Sequence, residues 1–105
     1  MKKVRFMGYN CYLSFGKYSN DRIGFELLDE EDAGCVAIAT INMPEVNVKS
    51  DEVIIKDYSE NDGMLDILVE AGVVSEPLRF VASGFISAPV CKLLVTPNEK
   101  DKKSD

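Results

Sequence analysis

Histidine is missing from these 105 residues. Its absence removes the usual general base near neutral pH and the commonest metal ligand. Ser-His-Asp and Cys-His hydrolysis are excluded in their ordinary forms. Histidine-dependent zinc and non-haem iron sites go with them. Carboxylates, lysine and tyrosine remain, but the chain reads as non-enzymatic, with no catalytic residue and no cofactor. Cysteine is scarce and odd in number: Cys11, Cys35 and Cys91 lie far apart and form no C-x-x-C pair. A disulfide framework and a thiolate metal site are therefore not expected, and all three are read as small core hydrophobes. Phosphate-binding glycine loops are also lacking, since Gly8, Gly16 and Gly24 fit neither G-x-G-x-x-G nor the P-loop. No apolar run approaches the ~18 residues of a membrane span. The N-terminus has no sustained apolar stretch and no small-residue cleavage site, so it is a poor signal peptide and the chain is expected in the cytoplasm.

What is present is a hydrophobic fraction of 46%, enough for one modest core in one domain, expected over residues 1–95. The net charge of −6 hides a larger asymmetry. Residues 1–25 carry five basic groups against one acid; residues 26–76 carry fourteen acids against two lysines; residues 77–105 carry five basic groups against three acids. Nearly all the negative charge thus sits in the middle half. Such a stretch repels phosphates and attracts basic surfaces. The plainer alternative is a solvated acidic face that keeps a small domain dispersed.

Tyr9, Cys11, Leu13 and Phe15 alternate with Asn10, Tyr12 and Ser14, which is strand periodicity. After the turn residues "YSND", Ile23, Phe25 and Leu27 alternate with Arg22, Gly24 and Glu26, completing an antiparallel hairpin. Gly24 marks a bulge or a close neighbour. "DEEDAG" is a second turn, and "CVAIATIN" a third strand that Pro44 closes. A loop, "MPEVNVKSDE", leads to the short apolar "VIIKD". Further strands are expected in "LRFVAS" and in "GFISAPVCKLLV", where Pro89 implies an edge position or a bulge. "TPNEKDKKSD" from 96 to 105 reads as a disordered charged tail.

"KDYSENDGM" is the densest run of oxygen-bearing side chains. An EF-hand needs glycine at its sixth position and glutamate at its twelfth. Counted from Asp57, these positions hold Asp62 and Leu68, so the calcium reading fails. A helix start fits better: Ser59 as N-cap, Asp62 at N3, an apolar face of Met64, Leu65 and Leu68, and Gly72 as a left-handed stop with Val73 against Leu68. The expected helix has about three turns. The whole reads as an α+β domain, an antiparallel sheet of five or six strands with one helix packed on one face.

Glu30, Glu31 and Asp32 could hold a hard cation, but adjacent carboxylates on a turn are read as solvated, and no metal is expected. Tyr9, Tyr12, Tyr18 and Phe15 with Lys17 and Arg22 could form an aromatic-basic surface for single-stranded nucleic acid. Phe15 belongs to the inward face of its strand, so the core reading is preferred, and Tyr12 and Tyr18 are the better exposed candidates.

The segments "FGKYSNDRIGFELLDEE", "ATINMP" and "IIKDYSENDGMLDILVEAGVV" resemble a family of small bacterial proteins of unknown function carried by plasmids, phages and conjugative elements, over roughly residues 10–82. The resemblance supplies no catalytic residues. It implies a mobile-element accessory protein. Small acidic proteins of that origin include inhibitors of host defence, anti-CRISPR proteins among them. The basic N-terminal quarter departs from a uniformly acidic DNA mimic and leaves a local acidic patch. The expectation is a non-enzymatic inhibitor whose Glu30, Glu31, Asp32, Asp66 and Glu70 bind a basic surface of a defence nuclease such as a Cas protein, with no direct nucleic acid or membrane contact. Two alternatives stand beside it: a binding module of the mobile element's own machinery, and a weak single-strand binder.

Overall fold

A computed structural model describes residues 2–97 of the chain. Alternating apolar residues on strands that meet through tight turns give a four-stranded antiparallel meander, β1 (Lys3–Phe6), β2 (Tyr9–Lys17), β3 (Ile23–Asp29) and β4 (Cys35–Ile38). The β2–β3 hairpin has the expected pairing, with Leu13 opposite Leu27 and Phe15 opposite Phe25. The 18–21 turn closes through Tyr18 N–H to Arg22 O and Asp21 N–H to Tyr18 O, both 2.8 Å.

The single sheet expected from the sequence is instead two. A second antiparallel sheet holds β5 (Glu52–Ile54), β6 (Arg79–Ser83) and β7 (Ile86–Lys92) in the order β5-β7-β6. Among the described residues, an isolated bridge between Thr40 and Ile55, beyond the ends of β4 and β5, links the two sheets along the backbone. One face of the second sheet, with Val53 and Cys91, joins the main core against Leu13, Phe25 and Leu27. Its other face, with Ile54, Ala88 and Val90, packs on Met43, and Ile41, Val46 and Val48 lie against this smaller core. The crossing loop thus covers a sheet face as well as connecting strands. Each fully buried Val, Ile or Met side chain here contributes ~1.5–3 kcal/mol in transfer free energy, and the partly buried ones less.

Pro89 lies in the central strand β7, not at an edge. Ile55 N–H donates to Pro89 O at 3.0 Å. In a narrow antiparallel pair that places the proline nitrogen opposite Ile55, just past the end of β5, where the ladder has already stopped.

The helix α1 (Met64–Glu70) starts four residues later than expected and has two turns. Ser59–Asn61 forms a separate 3₁₀ turn, and no side chain caps it. Left-handed Gly63 precedes α1, and the cap comes from a distance: Leu65 N–H donates to Asp57 Oδ1 at 2.9 Å. The C-terminus is as expected. Gly72, at φ +75°, lets its N–H reach Val69 O at 3.0 Å and Val73 N–H reach Leu68 O at 2.9 Å, the paired bonds of a Schellman ending. Met64 and Leu68 are fully buried, and the helix packs beside β1. Among the described residues, no helix is long and apolar enough to cross a membrane. The tail expected at 96–105 lies, from residue 98 onward, outside the described residues.

Candidate functional site

The β3–β4 turn holds its acids on a tightly bonded backbone. Asp29 N–H donates to Gly34 O and Ala33 N–H to Asp29 O, both at 2.8 Å. Two carboxylates belong to the turn itself. Asp29 Oδ1 accepts from Glu31 N–H at 3.0 Å, and Asp32 Oδ1 from Gly34 N–H at 2.9 Å. Such Asx contacts are why acids suit this loop. Glu30 is drawn toward β1 and pairs with Lys3 at 2.8 Å. Glu31 and Asp32 are exposed, and neither joins an ion pair among the described residues.

Asp66 and Glu70 stand one turn apart on the exposed side of α1, away from Met64 and Leu68. They too join no ion pair among the described residues. The element linking the two acidic groups is β1. Lys3 reaches Glu30, while α1 packs on the same strand. The structure therefore brings a basic strand between the two sets of acids, a neighbour the charge count alone did not show.

In "KDYSENDGM", most of the oxygens serve the fold. Asp57 caps α1, and buried Asn61 donates from Nδ2 to Ile38 O at 2.7 Å. Glu60 pairs with Lys56 at 2.6 Å. The ammonium holds the Glu60 carboxyl below its usual range, and Glu60 in turn raises Lys56. No group of three or more potential metal ligands gathers among the described residues.

The tyrosines are placed otherwise than expected. Tyr9 is half exposed, not part of the core face, and Tyr12 and Tyr18 are half-buried. Tyr18 lies across Gly24, where a Cβ would meet its ring at 2.7 Å, and its hydroxyl bonds Thr40 Oγ1 at 2.8 Å. Arg22 Nη1 donates to Met43 O at 2.8 Å. Tyr18 and Arg22, two of the six residues considered for single-strand binding, thus hold the fold together. Over the Gly16–Gly24 pair lies an open depression of about 260 Å³ edged by Lys17, Glu26 and Ile38. It is smaller than the ~300–1,000 Å³ of most ligand pockets.

Cys11 and Cys91 are buried as expected, but Cys35 is exposed, because the β3–β4 register shifts between Leu27 and Leu28 beside it. Its thiol is raised by partial burial and then by Glu26, so it is not an activated nucleophile. The exposed aromatic residues that sequence reading did not single out are Phe80 and Phe85, on the β6–β7 hairpin. The Ser83-Gly84 pair before Phe85 was their only signal, as a turn that pushes the next side chain outward. No protein-family model matches the chain, and no curated protein or solved structure matches it either, so the functional reading rests on the chain's own residues.

Proposed function

We propose that this chain is a non-enzymatic interaction protein that docks on a basic protein surface through Glu31, Asp32, Asp66 and Glu70, with Glu30 at the border. The observation that carries this is the state of those four carboxylates: exposed, on bonded elements, and without a cation partner among the described residues. Charges of this kind raise association rates with a complementary surface more than they lengthen residence. The resemblance to mobile-element proteins points to the target: a defence nuclease of the host, such as a Cas protein, whose nucleic-acid groove is a basic surface.

The test has two arms. Expression of the chain in a host with an active CRISPR system should restore plasmid transformation, and combined Glu31→Lys, Asp32→Lys, Asp66→Lys and Glu70→Lys should abolish that effect while the fold is kept. A purified target should associate more slowly as salt rises, since the attraction is screened over ~8 Å at physiological ionic strength. Unchanged binding by the reversed variant would reduce the acids to a solubilising surface. Capture of a replication or transfer protein instead would make the chain a module of the element's own machinery.

A further inference from the structure

Sheet edges with free N–H and C=O groups invite pairing with another chain, and proteins usually blunt them. Three of the four edges here are blunted. Strand β1 carries Lys3 and Arg5 and lies under α1. Strand β4 has four residues and a register shift against β3. Strand β5 has three residues and runs on into the Thr40–Ile55 bridge. The fourth, β6, has five residues paired without interruption to β7, with no proline and no lysine. Its one charge, Arg79, is turned back onto Glu52 and the carbonyl of Asn47.

This open edge is also apolar. Strand alternation puts Leu78, Phe80 and Ala82 on one face. Phe80 lies opposite Pro89, on the side of the sheet that faces the main core, yet it projects past the core's cover and is 63% exposed. Leu78 is 53% exposed, and Phe85 at the hairpin tip is fully exposed.

We infer that β6 pairs antiparallel with β6 of a second copy of this chain, forming a two-fold dimer through a continuous six-stranded sheet. Two observations select a second copy. The first is charge. Residues 77–97 contain no acid in a chain of net charge −6, so a β6–β6 contact brings no carboxylates of this segment together. The second is self-complementarity. A two-fold axis at Val81 sets Phe80 against Ala82 of the second copy, Leu78 against its Gly84, and Arg79 against its Ser83. Large residues then face small ones, and no like charges meet. The inference does not depend on the acidic surface.

Light scattering on the full chain over a dilution series tests it. Reducing buffer is needed, because exposed Cys35 could otherwise cross-link two chains. The mass should rise with concentration toward twice the 11.6 kDa of one chain. Phe80→Lys and, separately, Ala82→Lys should each hold it at the single-chain value. Ala82 is exposed, so a lysine there spares the fold, which circular dichroism checks. Reversing Asp66 and Glu70 to lysine should leave the dimer intact. A single-chain mass across the whole series overturns the inference, even if β6 captures an extended peptide of another protein. So does a dimer that survives Ala82→Lys.

Discussion

Arg79 reaches across the central strand of the second sheet to Glu52, with Nη2 at 3.1 Å from Oε1 and Nη1 at 3.3 Å from Oε2. The same arginine donates to Asn47 O at 2.8 Å, and Glu52 Oε1 accepts from Lys49 N–H at 2.9 Å. One forked contact therefore ties both outer strands of that sheet to the loop covering its smaller core. Glu52→Ala would leave the Lys49 N–H and the guanidinium without their acceptor. The expected loss is ~1–3 kcal/mol, read from chemical denaturation. Arg79→Ala should cost at least as much, because it leaves the carboxylate of Glu52, only 6% exposed, without its cation, whereas the 41% exposed guanidinium can turn to water.

The same pair sets a pH dependence. Arg79, and then the Lys49 N–H, hold the Glu52 carboxyl below its ordinary value of 4.5. A depressed carboxyl contributes stability that is fully present above its unfolded value and is lost as pH falls through its folded one. Wild-type stability should therefore drop below about pH 4.5, and Glu52→Gln should flatten that part of the profile. An identical acid limb in both proteins would show that other carboxylates govern it.

For the helix, the cap to remove is Asp57. Asp57→Ala should cost ~1 kcal/mol, the usual loss for a capping side chain. Ser59→Ala should change stability by less than ~0.5 kcal/mol, since Ser59 sits exposed and caps nothing. Leu68→Ala empties a fully buried site and should cost ~2–5 kcal/mol. Urea melts of the three variants give the ranking directly.

That ranking shows where sequence reading succeeds and stops. The two hairpins and the Schellman ending are local, written in alternation, turn residues and a glycine a fixed distance from the last helical residue. The late start of α1 is not local. It depends on Asn61 finding Ile38 O, 23 residues away, and on a kink at Gly63 that lets Asp57 reach Leu65. β1 is legible on the same grounds, since Val4 and Phe6 alternate with Lys3 and Arg5 before a tight turn at Met7-Gly8. The division into two sheets could not be read, because it turns on the isolated bridge between Thr40 and Ile55. For the candidate site, the exposure of Glu31, Asp32, Asp66 and Glu70 was readable from turn chemistry and helix periodicity. The neutralisation of Glu30 was not, since Lys3 lies 27 residues earlier in the chain.

Gly24 needs glycine for space and not for backbone angle. A Cβ there would stand 2.7 Å from Tyr18 Cε2 and 3.0 Å from Thr40 Oγ1. The ring is held by its own hydroxyl bond to Thr40, so it cannot swing aside without breaking that contact. Gly24→Ala should destabilise by ~1–3 kcal/mol, the range for overpacking. Gly16, its cross-strand partner, has open space above it, and Gly16→Ala should be nearly neutral. Equal effects from the two substitutions would mean that strand propensity, not the Tyr18 contact, decides the cost.

The cysteines give the last prediction, because their burial separates them cleanly. Cys35 is exposed, whereas Cys11 and Cys91 are fully buried. Burial pushes the Cys91 thiol up to about 11, with Glu76 and Asp57 adding to the rise. Burial also raises Cys11, helped by Asp29. Reaction needs a thiolate and access, and these two lack both in the native state. A colorimetric thiol reagent at neutral pH should therefore modify one cysteine per folded chain, at a rate that Cys35→Ser removes. The other two should react only as fast as the protein opens, and a destabilising change such as Leu68→Ala should speed them while leaving Cys35 unchanged. Three thiols reacting together at the rate of Cys35 would place Cys11 and Cys91 outside the main core in which both are buried.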